Sequence, residues 1–205
     1  MKRASVVLAI LCLVATMCAS VTARAQVFAN IPQFSGDINI TPMSAPAAQG
    51  KMYFGGKRVR IDMNMRGRET SMIVDSEKQT TYMMMPQQKM YMEMHASNAR
   101  SGGLSDVKPF DANNPCANNP ETTCTKEGTE TVNGRTCDRW LLTKGTEKRT
   151  LWLDKKLHFP IKTVSAEGST MEMTNIKEGG QDASLFEVPA GYQKIEMGGG
   201  MRPNQ

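Results

Sequence analysis

Gln79-Thr80-Thr81-Tyr82-Met83-Met84-Met85-Pro86-Gln87-Gln88-Lys89-Met90-Tyr91-Met92-Glu93-Met94 carries the strongest pattern in the chain. Methionine returns at every second position on both sides of Pro86. A step of two places side chains on one face of a β-strand, so this is a pair of strands and not a Met-rich helix. Any even-numbered connection puts Met83 and Met85 on the face of Met90, Met92 and Met94. Tyr82 and Met84 then share the opposite face with Lys89, Tyr91 and Glu93. The same step recurs in Met63-Asn64-Met65 and Met171-Glu172-Met173, and ten of the 17 methionines lie between Met52 and Met94.

Working outward, short strands separated by turn signals continue in both directions, the pattern of an all-β sandwich or barrel. Residues 35–41 read as a first strand and Pro42–Gly50 as a small-residue loop. Lys51–Phe54 and Lys57–Met65 follow, with Gly55-Gly56 as the two turn residues. Met52 and Phe54 then share a face with Val59, Ile61 and Met63. The other face, Lys51, Tyr53, Arg58, Arg60 and Asp62, is expected to meet solvent. Arg68–Asp75 is the next strand, with a turn at Asp75-Ser76-Glu77-Lys78. The rhythm breaks over 95–122: a short helix is expected over His95–Ser105, then an Asn/Pro-rich loop over Lys108–Glu121. Strands resume at 125–132, 135–143, 147–154, 160–166 and 169–176. A helical turn over Asp182–Phe186 and a last strand over Tyr192–Glu196 complete the domain. No internal repeat or domain linker interrupts it.

Residues 1–25 read as a cleaved export signal. Lys2 and Arg3 precede the apolar run Val6–Val14, and Ala23-Arg24-Ala25 supplies a small-x-small cleavage site. Leu11 and Met17 precede Cys12 and Cys18 where a lipobox needs a small residue, so a soluble periplasmic protein is expected rather than a lipid-anchored one. The expected organisation is thus a signal peptide at 1–25, one β domain at 26–197 and a disordered tail at 198–205. Loss of Lys2, Arg3 and Arg24 lowers the formal charge from +5 by three, to +2. With no basic cluster or Arg/aromatic platform left, nucleic acid is not an expected partner.

Three cysteines remain: Cys116, Cys124 and Cys137. An oxidising compartment favours one disulfide and one leftover thiol. Val132-Asn133-Gly134-Arg135 reads as a type I′ hairpin. In its register Cys137 faces Glu130 and Cys124 faces Thr143, about 20 Å apart at roughly 3.3 Å per residue and beyond disulfide reach. Cys116–Cys124 is therefore expected, with Cys116–Cys137 open if the loop folds back.

Three stretches carry a resemblance to a known group. Gly50-Lys51-Met52-Tyr53-Phe54 leads into Arg60-Ile61-Asp62-Met63. Gly128–Gly134 leads into Cys137-Asp138-Arg139-Trp140. Leu151-Trp152-Leu153-Asp154 leads to Phe159-Pro160-Ile161-Lys162 and on to Asp182–Tyr192. Together they resemble an uncharacterised family of exported bacterial domains, similar in layout to the periplasmic carriers of outer-membrane lipoproteins (the LolA/LolB type). That resemblance covers roughly residues 35–196. It implies a mainly β fold, in which a curved antiparallel sheet forms an unclosed half-barrel with one or two short helices. It also implies an apolar concave side that, in the carriers, holds acyl chains.

No nucleophile motif such as Gly-x-Ser-x-Gly occurs, and the two histidines, His95 and His158, lie far apart. No phosphate-binding glycine loop opens a helix. An enzyme is not expected, nor a cofactor. Met faces most simply form core, but methionine is long, unbranched and polarizable, which suits a groove for irregular apolar shapes. The expected function is non-enzymatic binding of an acyl chain of a lipid or lipoprotein. The candidate lining is Met52, Phe54, Ile61, Met63, Met83, Met85, Met90 and Met92. Transient contact with membrane or envelope proteins would accompany it. Two alternatives stand beside this: a Cu(I)-handling protein using thioethers and His95, and an envelope interaction domain with no small ligand.

Overall fold

The computed structural model describes residues 31–95, 113–117 and 119–196. The export segment 1–25, the tail 198–205, most of the Lys108–Glu121 loop and, but for His95, the helix expected over His95–Ser105 lie outside these residues.

Twelve strands form one sheet: β1 Phe34–Thr41, β2 Ala48–Phe54, β3 Arg58–Met65, β4 Arg68–Asp75, β5 Thr80–Met85, β6 Met90–His95, β7 Thr123–Val132, β8 Arg135–Lys144, β9 Glu147–Asp154, β10 Phe159–Ser165, β11 Thr170–Glu178 and β12 Gln193–Lys194. Their spatial order is β12-β6-β5-β4-β3-β2-β1-β11-β10-β9-β8-β7, and the ends do not meet. Every pairing is antiparallel except that of β12 with β6. Two 3₁₀ turns, Pro86–Gln88 and Ala183–Phe186, are the helical elements among the described residues. No helix there is long and apolar enough to cross a membrane.

The sheet curls strongly. In a flat sheet β10 and β2, separated by β11 and β1, would lie about 14 Å apart at roughly 4.8 Å per strand. Yet the Phe159 ring on β10 lies 5.2 Å from Phe34 on β1 and 6.0 Å from Phe54 on β2. The β7–β8 hairpin tip likewise reaches β11, where the Asn133 side-chain amide donates to the Met173 carbonyl at 3.0 Å. A bulge at Asn175–Ile176 in β11, opposite Gly36, and another at Ile161 in β10 supply extra local twist.

The centre of the concave side is filled by the protein itself. Phe34, Ile38, Met52, Phe54, Val132, Cys137, Trp152, Leu157, Ile161 and Met173 form one buried cluster. Gly50 lets this side close. A Cβ there would strike the Asp62 carbonyl and lie 2.5 Å from the Met63 sulfur. Gly50→Ala is expected to cost about 1–3 kcal/mol, as overpacking does, and a lowered urea midpoint at unchanged slope would show it.

One corner is tied by charge. Asp154, 1% exposed, ends β9 and accepts the amide hydrogens of Lys156 at 2.8 Å and Leu157 at 2.7 Å. Arg135 at the start of β8 pairs with Asp154 through Nε and Nη2 and reaches Glu178 at the end of β11 at 2.9 Å. This is the Trp152–Pro160 stretch noted in the sequence, and its aspartate holds three strands and a turn together.

Several local expectations need correction. Gly55 N–H donates to the Arg58 carbonyl at 2.8 Å, so the central turn residues are Gly56 and Lys57, and Gly56 takes φ +83°. The register moves by two, which keeps every residue on its expected face. The loop expected to run to Gly50 ends earlier, with β2 beginning at Ala48. A bulge between Lys126 and Gly128 sets Cys124 opposite Leu142 rather than Thr143, while Cys137 opposes Glu130 as expected. The last strand shortens to two residues.

Candidate functional site

The methionine face lies on the concave side of β3–β6. Register aligns one row across five strands: Met52 opposes Ile61, Ile61 opposes Met72, Met72 opposes Met83, and Met83 opposes Met92. A neighbouring row pairs Met63 with Thr70 and Met85 with Met90. Alternation keeps this face free of charged side chains between Arg68, at the β3–β4 turn, and the far strand ends.

The eight lining candidates separate into two groups. Met52 and Phe54 are buried in the central cluster, and Ile61 packs against it. They serve as core. Met63, Met83, Met85, Met90 and Met92 are partly buried and belong to none of the three clusters among the described residues. Met72, 8% exposed, sits between Ile61 and Met83 and was missed from the sequence. Its signal was present in the alternation Thr70-x-Met72-x-Val74. His95 does not join the methionines. It lies across from Thr80 on the opposite face, its Nδ1 at 3.0 Å from Thr80 Oγ1 and its Nε2 at 3.3 Å from a Glu93 oxygen.

The face expected to meet solvent is instead a second interior. Ile73, Met84 and Phe186 form its buried core, with Tyr53, Tyr82, Tyr91, Leu185, Val188 and Tyr192 packed around them. The covering segment is C-terminal. Asp182 starts it by accepting the Ser184 amide hydrogen at 2.9 Å, the usual job of an Asx residue before a helical turn. Arg60 donates to the Leu185 carbonyl at 3.0 Å while paired with Asp62. The Arg58 guanidinium lies 5.1 Å from the Phe186 ring centre. Gly55 leaves room, since a Cβ there would meet that ring at 2.6 Å. Lys194 on β12 sits 2.9 Å from Glu93 and, by hydrogen bond and charge, holds that carboxyl below its ordinary value. A sequence signal existed here too, in apolar Leu185, Phe186, Val188 and Tyr192 beside an apolar-poor tail.

Among the remaining chemistry-bearing groups, Cys116 and Cys124 form a disulfide with Cα atoms 5.7 Å apart. Cys137 is free and 0% exposed. Burial, and then the Asp154 charge, push its thiol up to about 11. Native Cys137 is expected to resist iodoacetamide at pH 8 and to react once urea unfolds the protein, as located by the mass shift of its peptide. Trp152 donates to Glu130 at 2.8 Å, with Arg139 and Lys162 against its ring at 5.6 and 5.3 Å. The Trp152 hydrogen bond, followed by that of Arg139, keeps the Glu130 carboxyl low. No group of three or more His, Cys, Asp or Glu residues among those described is arranged to hold a metal. A cleft of about 460 Å³ lies between the β8–β9 and β10–β11 turns, lined by Lys144, Glu147, Lys148, Arg149 and Glu167 among others. It is polar and touches none of the methionine face.

Solved structures of similar fold include an uncharacterized conserved protein from Thermus thermophilus, at 10% identity over 85% of this chain and 95% of that one, TM-score 0.57. MucB, in its complex with MucA from Pseudomonas aeruginosa, matches at 15% identity over 82% of this chain and 59% of that one, TM-score 0.56. The chain thus spans about six-tenths of the MucB chain. A LolA superfamily protein from Nitrosomonas europaea gives 11% identity over 80% and 94%, TM-score 0.37. The first two, at 10% and 15% identity, share the fold alone with this chain. Comparison with curated proteins finds no match. A family described as a domain of unknown function (DUF4412) matches residues 34–158 and 157–192.

Proposed function

The chain belongs to the DUF4412 family, and from the face its fold leaves partly open we propose that it binds the acyl chain of a lipid or lipoprotein without catalysing a reaction. The supporting observation is the division of the concave side. Its centre is packed with the protein's own side chains, whereas Met63, Met83, Met85, Met90 and Met92 form an uncharged, partly buried surface beyond it. Flexible thioether side chains adapt to a chain of varying shape. Each methylene buried there is worth about 0.8 kcal/mol. The proposed location is the periplasm, in keeping with the Cys116–Cys124 disulfide, which persists in oxidising compartments.

Native mass spectrometry of the protein purified from its periplasm tests this, with solvent extraction of whatever accompanies it. A co-purified lipid or fatty acid, or uptake of one on addition, is the expected result. A clean apo mass with no uptake would overturn it. Capture of a protein chain in place of a lipid would favour an envelope interaction domain, the mode in which MucB has been seen with MucA.

A further inference from the structure

Three methionines stand side by side on three adjacent strands: Met72 on β4, Met83 on β5 and Met92 on β6, each directly opposite the next. Directly opposed residues have Cβ atoms about 4.5–5.5 Å apart. A methionine side chain has three rotatable bonds beyond its Cα. The two outer sulfurs can therefore lean over the central one without any backbone movement. Met85 and Met90, a directly opposed pair in the next row, place two more thioethers on the diagonal. No carboxylate, imidazole or amine lies on this face between the strand ends, so it offers nothing to a hard cation and no charge to repel a soft one.

We propose that Met72, Met83 and Met92 form a three-thioether site for a soft monovalent cation, Cu(I) or its surrogate Ag(I). His95 takes no part, since it lies on the other face with Thr80 and Glu93. The site goes beyond acyl binding and does not depend on it. An ion needs sulfur, whereas an acyl chain needs only apolar surface.

The test uses the chain from Gln26 onward, as cleavage after Ala25 would leave it, with Cys137→Ala, so that none of Cys12, Cys18 and Cys137 offers a thiol to the metal. Ag(I) requires no reductant, which leaves the Cys116–Cys124 disulfide in place. Native mass spectrometry is expected to show one Ag(I) per chain, and methyl signals of the three methionines should shift in NMR spectra of the labelled protein. Met83→Leu keeps volume and hydrophobicity while removing the central sulfur. It should weaken Ag(I) binding at least tenfold, while Met43→Leu, at a 73% exposed position, should change neither Ag(I) binding nor acyl uptake. No Ag(I) bound, or equal binding in the Met83→Leu protein, would overturn the site. Either result leaves the acyl proposal to its own test. Loss of acyl uptake with Ag(I) binding intact would sink that proposal alone.

Discussion

Replacing Asp154 with alanine is expected to cost about 3–5 kcal/mol of folding stability, the range for removing one partner of a buried ion pair. The loss has two parts. Arg135 is left with Glu178 alone, and the Lys156 and Leu157 amides lose their acceptor in the turn that buries Leu157. Urea denaturation of the two proteins measures the difference. Asp154→Asn retains an oxygen for the amides but no charge for Arg135, so its loss should be smaller. Equal losses for both variants would mean that the charge does all the holding.

The same carboxylate predicts a pH dependence. Burial alone would raise its pKa, but the Arg135 hydrogen bond and the Leu157 and Lys156 amides outweigh that, and the net value lies below the ordinary one. A depressed folded value means that this contribution is fully present above the unfolded pKa of about 3.9 and fades as pH falls through the lower folded value. Wild type and Asp154→Asn should therefore differ most at neutral pH and converge in acid. A gap that stays constant down to pH 2 would contradict the assignment.

The second large effect concerns the ligand. Met83→Asp should weaken acyl uptake by ten- to a hundredfold, measured by displacement of a fluorescent fatty acid. Burying a methionine side chain is worth about 1.5–3 kcal/mol, and every 1.4 kcal/mol is tenfold in affinity. Met83 lies between Met72 and Met92 in the row, so a carboxylate there also interrupts the apolar track on both sides. Met43→Asp is the fitting control, because Met43 is 73% exposed on the β1–β2 loop. Tyr91→Asp is not, since Tyr91 packs into the second interior and its loss would confuse folding with binding.

Face membership was legible in the sequence because it depends only on parity. The turn at Gly56-Lys57 displaced the expected register by two, and Met52, Phe54, Ile61 and Met63 still share a face. The half-barrel followed from Asp154, Pro160 and the Phe186–Tyr192 ending, whose spacing carries the family resemblance. What parity cannot supply is curvature. Whether Met52 is core and Met83 open depends on how far β10 curls back over β1 and β2, to which the bulges at Asn175–Ile176 and Ile161 contribute. Nor does strand patterning reveal that residues 185–192 return to cover Tyr53, Ile73 and Met84. Their hydrophobicity marks them as buried somewhere without saying against what.

That returning segment has a consequence for the order of events on the ribosome. Strands β2–β6 are synthesised early, yet the cover for Ile73 and Met84 and the β12 partner for β6 come from residues 183–194, more than 85 residues later. β1 likewise waits for β11. Contacts so distant along the chain form slowly, so the first half remains a sheet with one bare face until translation is almost finished. For a chain exported as proposed, threaded unfolded through a membrane, that delay is an advantage.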